Sequence, residues 1–257
     1  MTTTLDGDAT TGLPRAGYWR RSLATLIDMI VVMFPFQVLA AFLFALTAGM
    51  VQMDSGFFTL CAGAKTIPQA LSPPPPRDSN FARVCRVSFF GATTGASLTV
   101  GRVTKAGATT TTVSQTYMLD DKGTPINGTS IDGIVALALL AYLVVMIWKT
   151  GRTLGARVVK VRVVDAANPR APHVPLGKTI IRYLAMMIGA VPALALLLYQ
   201  YATTGGTADV VFTDQFFQWF PYAAGFGALW VIVLILQIAA KKDPVYDRLA
   251  GTAVLKD

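Results

Sequence analysis

Four long apolar runs limit what this chain can fold into. They are residues 22–48, 133–148, 179–201 and 221–240. A helix needs about 20 mainly apolar residues to cross the hydrocarbon core of a bilayer, and lipid leaves such a run few other ways to satisfy its backbone hydrogen bonds. Only 14% of the residues are charged, whereas a soluble domain has about 25%. We therefore predict an all-α membrane fold, a four-transmembrane-helix bundle.

Basic residues indicate how the runs are oriented. Of the 22 lysines and arginines, 15 lie before the first run, around the connection between the second and third runs, or after the fourth. Short cytoplasmic segments carry such an excess, so we predict that both termini are cytoplasmic and that 49–131 lies outside. The net charge of +8 then reflects topology and not nucleic-acid binding. A cleaved signal peptide is the alternative for the first run, but its length and internal Asp28 disfavour this reading.

A large polar insert separates the first two runs. Within 49–131, residues 83–91, 97–107 and 110–119 are rich in Val and Thr and are separated by Gly or Asp-Asp-Lys-Gly breaks. This pattern is typical of short strands, so we predict a small extracytoplasmic β insert. Residues 1–14 are small and polar, and we predict a disordered cytoplasmic tail there.

Cys61 and Cys85 are the only cysteines, and both belong to the insert. An even number of cysteines outside the cytoplasm predicts one disulfide. Two unpaired thiols are the alternative.

The connection between the second and third runs also has strand character. Residues 156–165 are rich in valine, and Asn168-Pro169 marks a turn before a second short extended piece. We predict a short cytoplasmic β hairpin-like loop within 149–178.

The sequence offers no set of catalytic or metal-binding side chains. Its single histidine, His173, lies between prolines and far from both cysteines. The stretch LGKT at 176–179 lacks the first glycine of a phosphate-binding loop, because position 172 is proline. We therefore expect no catalytic residue, no metal, no cofactor and no enzymatic activity.

Asp28 is the charged residue that most needs an explanation, because a carboxylate inside a span costs roughly 2.5–3.5 kcal/mol on insertion scales. Arg21 lies seven residues earlier on the same helix face, too far for an unstrained direct pair. Arg182 near the edge of the third run is the other leading partner, and Arg248 is a further cation for an ion pair. A structural ion pair and an ion or proton site both remain open for Asp28.

Three segments resemble the RDD family of membrane proteins. They are RRSLATLID in the first run, GRTLGARVVKVRVVDAANPRAPHVPLGKTIIRYL after the second, and the closing DRLAGTAVL. The family is named after one arginine and two aspartates, which match Arg21, Asp28 and Asp247. The resemblance covers 15–48 and 133–255, so 15–257 is read as an RDD-like domain that the insert interrupts.

The resemblance implies a multi-pass protein of the bacterial inner membrane. Some family members are linked to sodium/proton exchange, and others occur as accessory domains. We therefore carry two hypotheses, a transport-related protein that uses Asp28 for a cation or proton, and a non-catalytic scaffold or accessory subunit. The lipid bilayer is the expected partner, together with a homo-oligomer or a larger membrane-protein complex.

Overall fold

The computed structural model describes residues 14–64, 66–68, 71–107, 109–203, 214–240 and 242–256. The predicted disordered tail, apart from Pro14, lies outside the described residues. The chain divides into two compact units. The helical unit comprises residues 1–30 and 140–257, and the insert unit comprises Val31–Leu139.

Four helical segments are long and apolar enough to cross a membrane, as predicted: Tyr18–Leu46, Asp132–Thr150, Leu176–Thr203 and Gln215–Ala239. The helices are α1 (Tyr18–Leu46), α2 (Asp132–Thr150), α3 (Leu154–Val158), α4 (Leu176–Met186), α5 (Val191–Thr203), α6 (Asp214–Ala239) and α7 (Val245–Ala250). A 3-10 turn, Met187–Ala190, joins α4 to α5.

The described residues also form nine strands, so the all-α label is too narrow. The strands are β1 (Val51–Gln52), β2 (Phe58–Gly63), β3 (Phe81–Phe89), β4 (Ala92–Ala106), β5 (Thr109–Leu119), β6 (Pro125–Ile126), β7 (Thr129–Ser130), β8 (Val161–Asp165) and β9 (Thr252–Lys256). Strands β2 to β6 make one antiparallel sheet in chain order, and β1 pairs with β7 in parallel.

The insert unit packs its sheet on the C-terminal part of α1. Buried Leu98, Val100, Tyr117 and Leu119 from the sheet form one core with Phe44. Cys61 and Cys85 lie opposite each other in the paired strands β2 and β3 and form a disulfide. The predicted disulfide is therefore confirmed, and the predicted strands correspond to β3, β4 and β5.

The predicted hairpin-like loop within 149–178 is wrong. Strand β8 pairs antiparallel with β9 at the C-terminal end of the chain, not with a neighbouring segment. Pro169, Pro172 and Pro175 follow β8, and proline cannot donate a hydrogen bond to a ladder. The β8–β9 pair joins the core of the helical unit, in which Val161, Val163 and Val254 are buried with Ile147.

Candidate functional site

Asp247 is the centre of a buried ion-pair cluster in the helical unit. Arg21 of α1 donates through Nη1 to Asp247 Oδ2 at 3.1 Å. Arg182 of α4 forms an ion pair with Asp247 Oδ1, and Thr252 of β9 donates to the same oxygen at 2.8 Å. One fully buried carboxylate therefore ties together three helices and a strand.

Local sequence signals place Asp247 in this position. Pro244 precedes the first turn of α7, where its fixed φ suits a helix start. Gly251 ends the helix at φ +62°, in the left-handed region that favours glycine. The six-residue helix thus starts and stops within one short segment, and β9 follows it directly.

The cluster contains more positive than negative charge. Two guanidinium groups, from Arg21 and Arg182, share the single carboxylate of Asp247. The Arg182 guanidinium also lies 5.0 Å from the centre of the Tyr246 ring, in a cation–π contact. Its Nε atom is buried and makes no hydrogen bond within the described part of the chain. Within the described residues, Asp247 is the carboxylate that forms an ion pair with both arginines.

Asp28 is buried in α1, and within the described part of the chain its hydrogen-bond donors are all neutral groups. Its Oδ1 atom accepts from the Tyr142 hydroxyl at 2.8 Å and from the Gly155 backbone N–H at 2.8 Å. Its Oδ2 atom accepts from the Thr153 hydroxyl. Of the candidate partners named from the sequence, Arg21 and Arg182 both pair with Asp247 and not with Asp28.

The donors to Asp28 are themselves held in place by other hydrogen bonds. Thr153 caps the N-terminus of α3, where its hydroxyl accepts from Ala156 N at 3.1 Å. The Tyr142 hydroxyl accepts from Leu154 N at 2.9 Å. Asp28 therefore links α1 to α2 and to the short helix α3.

Gly155 allows this link because it leaves room for the first transmembrane helix. A Cβ atom at Gly155 would lie 2.1 Å from the carbonyl oxygen of Ala24 and 3.0 Å from Asp28 Cγ. Tyr142, Thr153 and Gly155 were not predicted as partners of Asp28. The stretch GRTLG contains a usable signal, a helix-capping Thr beside a small residue, but its donors are neutral and a buried carboxylate first suggests a cationic partner.

Arg21, Asp28 and Arg182 line one cavity of the helical unit, with a volume of about 140 Å³. Apolar side chains form much of the remaining wall, among them Leu143, Ile147, Val163, Met186 and Val254. Arg248, in contrast, is exposed and pairs with no carboxylate among the residues that the structure describes.

A second ion pair lies beside the cluster at the start of α4. Lys178 Nζ contacts Asp165 Oδ1 at 2.6 Å. Partial burial alone would raise the pKa of Asp165, but hydrogen bonds from Lys178 and from the backbone N–H of Ala167 lower it below its usual value. This ion pair connects the end of β8 to the first turn of α4.

The oxygens around Asp28 leave little capacity for a bound cation. A carboxylate has about four acceptor sites, and three of those on Asp28 are occupied. The hydroxyls of Tyr142 and Thr153 already donate and accept. Over the described residues, no group of three or more His, Cys, Asp or Glu side chains is placed to hold a metal ion.

These features define a multi-pass helical membrane protein with a buried charge cluster. The model of the RDD family matches residues 15–251, which is most of the 257 residues, and the chain belongs to the RDD family. Comparisons with curated proteins and with solved structures found no match. The match gives a range, so the identification of Arg21, Asp28 and Asp247 as the family's three charged residues stays a prediction.

Proposed function

We propose that this RDD-family protein is a non-catalytic scaffold or accessory subunit of a larger membrane complex. One observation carries the proposal: the hydrogen bonds to Asp28 come from Tyr142, Thr153 and Gly155, all within its own unit. Asp28 and Asp247 then hold helices together. A carboxylate with this role keeps its partners, whereas a carrier must exchange them for its cargo.

Cation or proton transport is the second candidate function. It is favoured by the position of Asp28, which lines the cavity of about 140 Å³ and lies in an apolar helix, where carboxylates are often functional. Flux measurements separate the two functions. The purified protein is reconstituted into vesicles that contain a pH-sensitive dye or a sodium-sensitive dye, and a cation gradient is applied.

The scaffold proposal predicts no cation-dependent flux from the wild-type protein or from Asp28→Asn. It also predicts that extraction in a mild detergent yields a species heavier than the single chain, measured by native mass spectrometry. Asp121→Asn is the matched control, because Asp121 is exposed and outside the helical unit. Flux that Asp28→Asn abolishes, with unchanged stability and unchanged flux in the control, would replace the scaffold proposal by transport.

We further propose that the protein lies in the cytoplasmic membrane of a bacterium, with both termini cytoplasmic. The excess of basic residues outside 49–131 supports this orientation. A cysteine introduced at exposed Ser72 should react with an impermeant maleimide in intact cells, and one at exposed Ala167 should react only after lysis. The reverse pattern would contradict the orientation.

A further inference from the structure

The insert unit exposes an uncharged, apolar edge next to α1. Strand β2 is the outermost strand of the sheet and is exposed along its whole length. Phe58 and Leu60 in it are 60% and 77% exposed, Phe57 just before it is 45% exposed, and Phe90 at the β3–β4 turn is 81% exposed. We call Phe57, Phe58, Leu60 and Phe90 the apolar edge.

Contacts along α1 show which side of the sheet lies nearest the middle of that helix. Phe34 of α1 packs on Phe89, whose ring also contacts Phe57 and Phe90, with ring centres 5.2, 6.1 and 4.7 Å apart. Nearer the helix end, Phe44 packs against strands β4 and β5, and Ala48 accepts a hydrogen bond from Asp121 beyond β5. The sheet therefore presents its β2 side toward the middle of α1.

The same part of α1 has an apolar surface that the insert leaves uncovered. On one side, buried Gln37 donates to the carbonyl oxygen of Ser55. On the other, Val38, Leu39, Phe42 and Leu46 are exposed. α1 has 29 residues, about nine more than the hydrocarbon core needs, and Ser55 also donates to the carboxylate of Asp132 at the start of α2. The core therefore ends near Gln37, and the apolar edge, which meets α1 at Phe34 through Phe89, starts close to this boundary.

Two arginines lie directly behind the apolar edge. Arg86 and Arg83 of β3 are paired in register with Leu60 and Gly63 of β2. Neighbouring strands are about 4.8 Å apart, so both arginines lie one strand spacing behind the apolar edge. Because they are three positions apart on β3, their side chains project from opposite faces of the sheet, one on each side of the edge. Neither forms an ion pair with a carboxylate of the described chain. Their charge complements anionic lipid phosphates, which arginine binds well.

We propose that the apolar edge lies in the interface of the bilayer and that Arg83 and Arg86 bind the phosphates of anionic lipids. The insert then has its own lipid-binding surface, which goes beyond the proposed scaffold function. The interface suits an exposed strand edge, because its open backbone groups still reach water, which the hydrocarbon core would not allow. Amphipathic helices in the interface place their apolar face about 5–10 Å into the headgroup and acyl boundary, and we expect a similar depth for the apolar edge.

Spin labels on single cysteines test the position of the apolar edge. Phe58→Cys and Phe90→Cys are labelled in vesicles of phosphatidylcholine and phosphatidylglycerol, since the native cysteines are joined in a disulfide. Val113→Cys is the matched control, because Val113 is exposed and apolar and lies on β5, three strands from β2. Collisions with oxygen report lipid, and collisions with a water-soluble nickel chelate report water.

The proposal expects labels at 58 and 90 to collide more with oxygen than with the nickel chelate, and a label at 113 to do the reverse. Labels at 58 and 90 that meet mainly the nickel chelate would overturn it. Labels that meet neither reagent would overturn it too, because a second copy or another protein would then cover the edge.

Retained lipids test the two arginines separately. Vesicles with equal amounts of the two lipids are dissolved in a mild detergent, and the lipids that remain bound are counted by mass spectrometry. Arg83→Gln with Arg86→Gln should lower the retained phosphatidylglycerol at least about twofold. The matched pair Arg102→Gln with Lys105→Gln, on β4, should not. Equal retention by both double variants would overturn the arginine assignment.

Discussion

Replacing Asp247 by Asn should destabilise the helical unit more than replacing Asp28 by Asn, although both carboxylates are buried. The two sites differ in the charge of their partners. Asp247 carries the countercharge of Arg21 and Arg182. The partners of Asp28 are neutral, so removal of its charge leaves no cation behind.

The expected free energies of unfolding follow from these partners. Asp247→Asn removes the charge from two charge-assisted contacts and leaves two guanidinium groups near each other. Breaking a buried pair in this way typically costs about 3–5 kcal/mol. Asp28→Asn can keep one oxygen toward Tyr142 and Gly155, and it places an amide nitrogen opposite the Thr153 hydroxyl. One impaired hydrogen bond of this kind costs about 1–3 kcal/mol.

The assay is reversible unfolding of the protein in dodecyl maltoside micelles by increasing fractions of sodium dodecyl sulfate, followed by tryptophan fluorescence. A third variant, Arg182→Gln, and its double variant with Asp247→Asn measure the coupling. The double variant should cost clearly less than the sum of the single changes, because both remove the same contact. Exposed Asp121→Asn should change stability by less than about 0.5 kcal/mol.

Two results would refute this reasoning. An Asp28→Asn loss as large as that of Asp247→Asn would mean that Asp28 also neutralises a cation. Additive losses for Arg182→Gln and Asp247→Asn would mean that these two residues are not coupled in the folded protein.

Three further predictions test other contacts. Gly155→Ala should lower the free energy of unfolding by about 1–3 kcal/mol or more, because its Cβ would lie 2.1 Å from a backbone oxygen. Gly177→Ala is the control, because its Cβ would have no atom within 4 Å, and it should be neutral or stabilising by about 0.5–1 kcal/mol. Hydrogen bonding lowers the pKa of folded Asp165, so its contribution to stability is present above the unfolded pKa of about 3.9 and is lost as the pH falls through the folded pKa. Asp165→Asn should therefore reduce the loss of stability at acid pH in an unfolding titration. An unchanged loss at acid pH would exclude the pair with Lys178 as its source. Cys61→Ser should expose one maleimide-reactive thiol and destabilise the insert unit by about 3 kcal/mol, and a reactive thiol in the unreduced wild-type protein would contradict the disulfide.

The transmembrane helices could be predicted because their signals are local. Apolar length and composition are properties of each segment, and lipid leaves a helix as the simplest solution for each. The observed bounds differ from the predicted ones by several residues. The fourth membrane-spanning helix, α6, begins at Asp214, whereas the apolar run in the sequence begins at 221. The disulfide could be predicted for a similar reason, since only one pairing of two cysteines exists.

Long-range partners could not be predicted in the same way. Strand β8 pairs with a strand about 90 residues later in the chain. The turn residues near Asn168 instead favoured pairing with a nearby segment. The five-residue helix α3 is too short for a hydrophobic period, yet it supplies a backbone donor to Asp28. Which arginine meets which aspartate is decided when α4 and α7 pack together, and spacing along the chain does not encode that choice.

The donors around Asp28 give a structural reason for a carboxylate at this position. Oδ1 accepts from Tyr142 and Gly155 and Oδ2 accepts from Thr153, so the side chain must present acceptor oxygens in two directions. Asparagine has one acceptor oxygen and turns a donor toward the third partner, and serine has one oxygen in all. Aspartate is the short side chain that meets all three donors. A buried carboxylate in a transmembrane helix is therefore not by itself evidence of transport, and its partners have to be identified before a cargo is assigned to it.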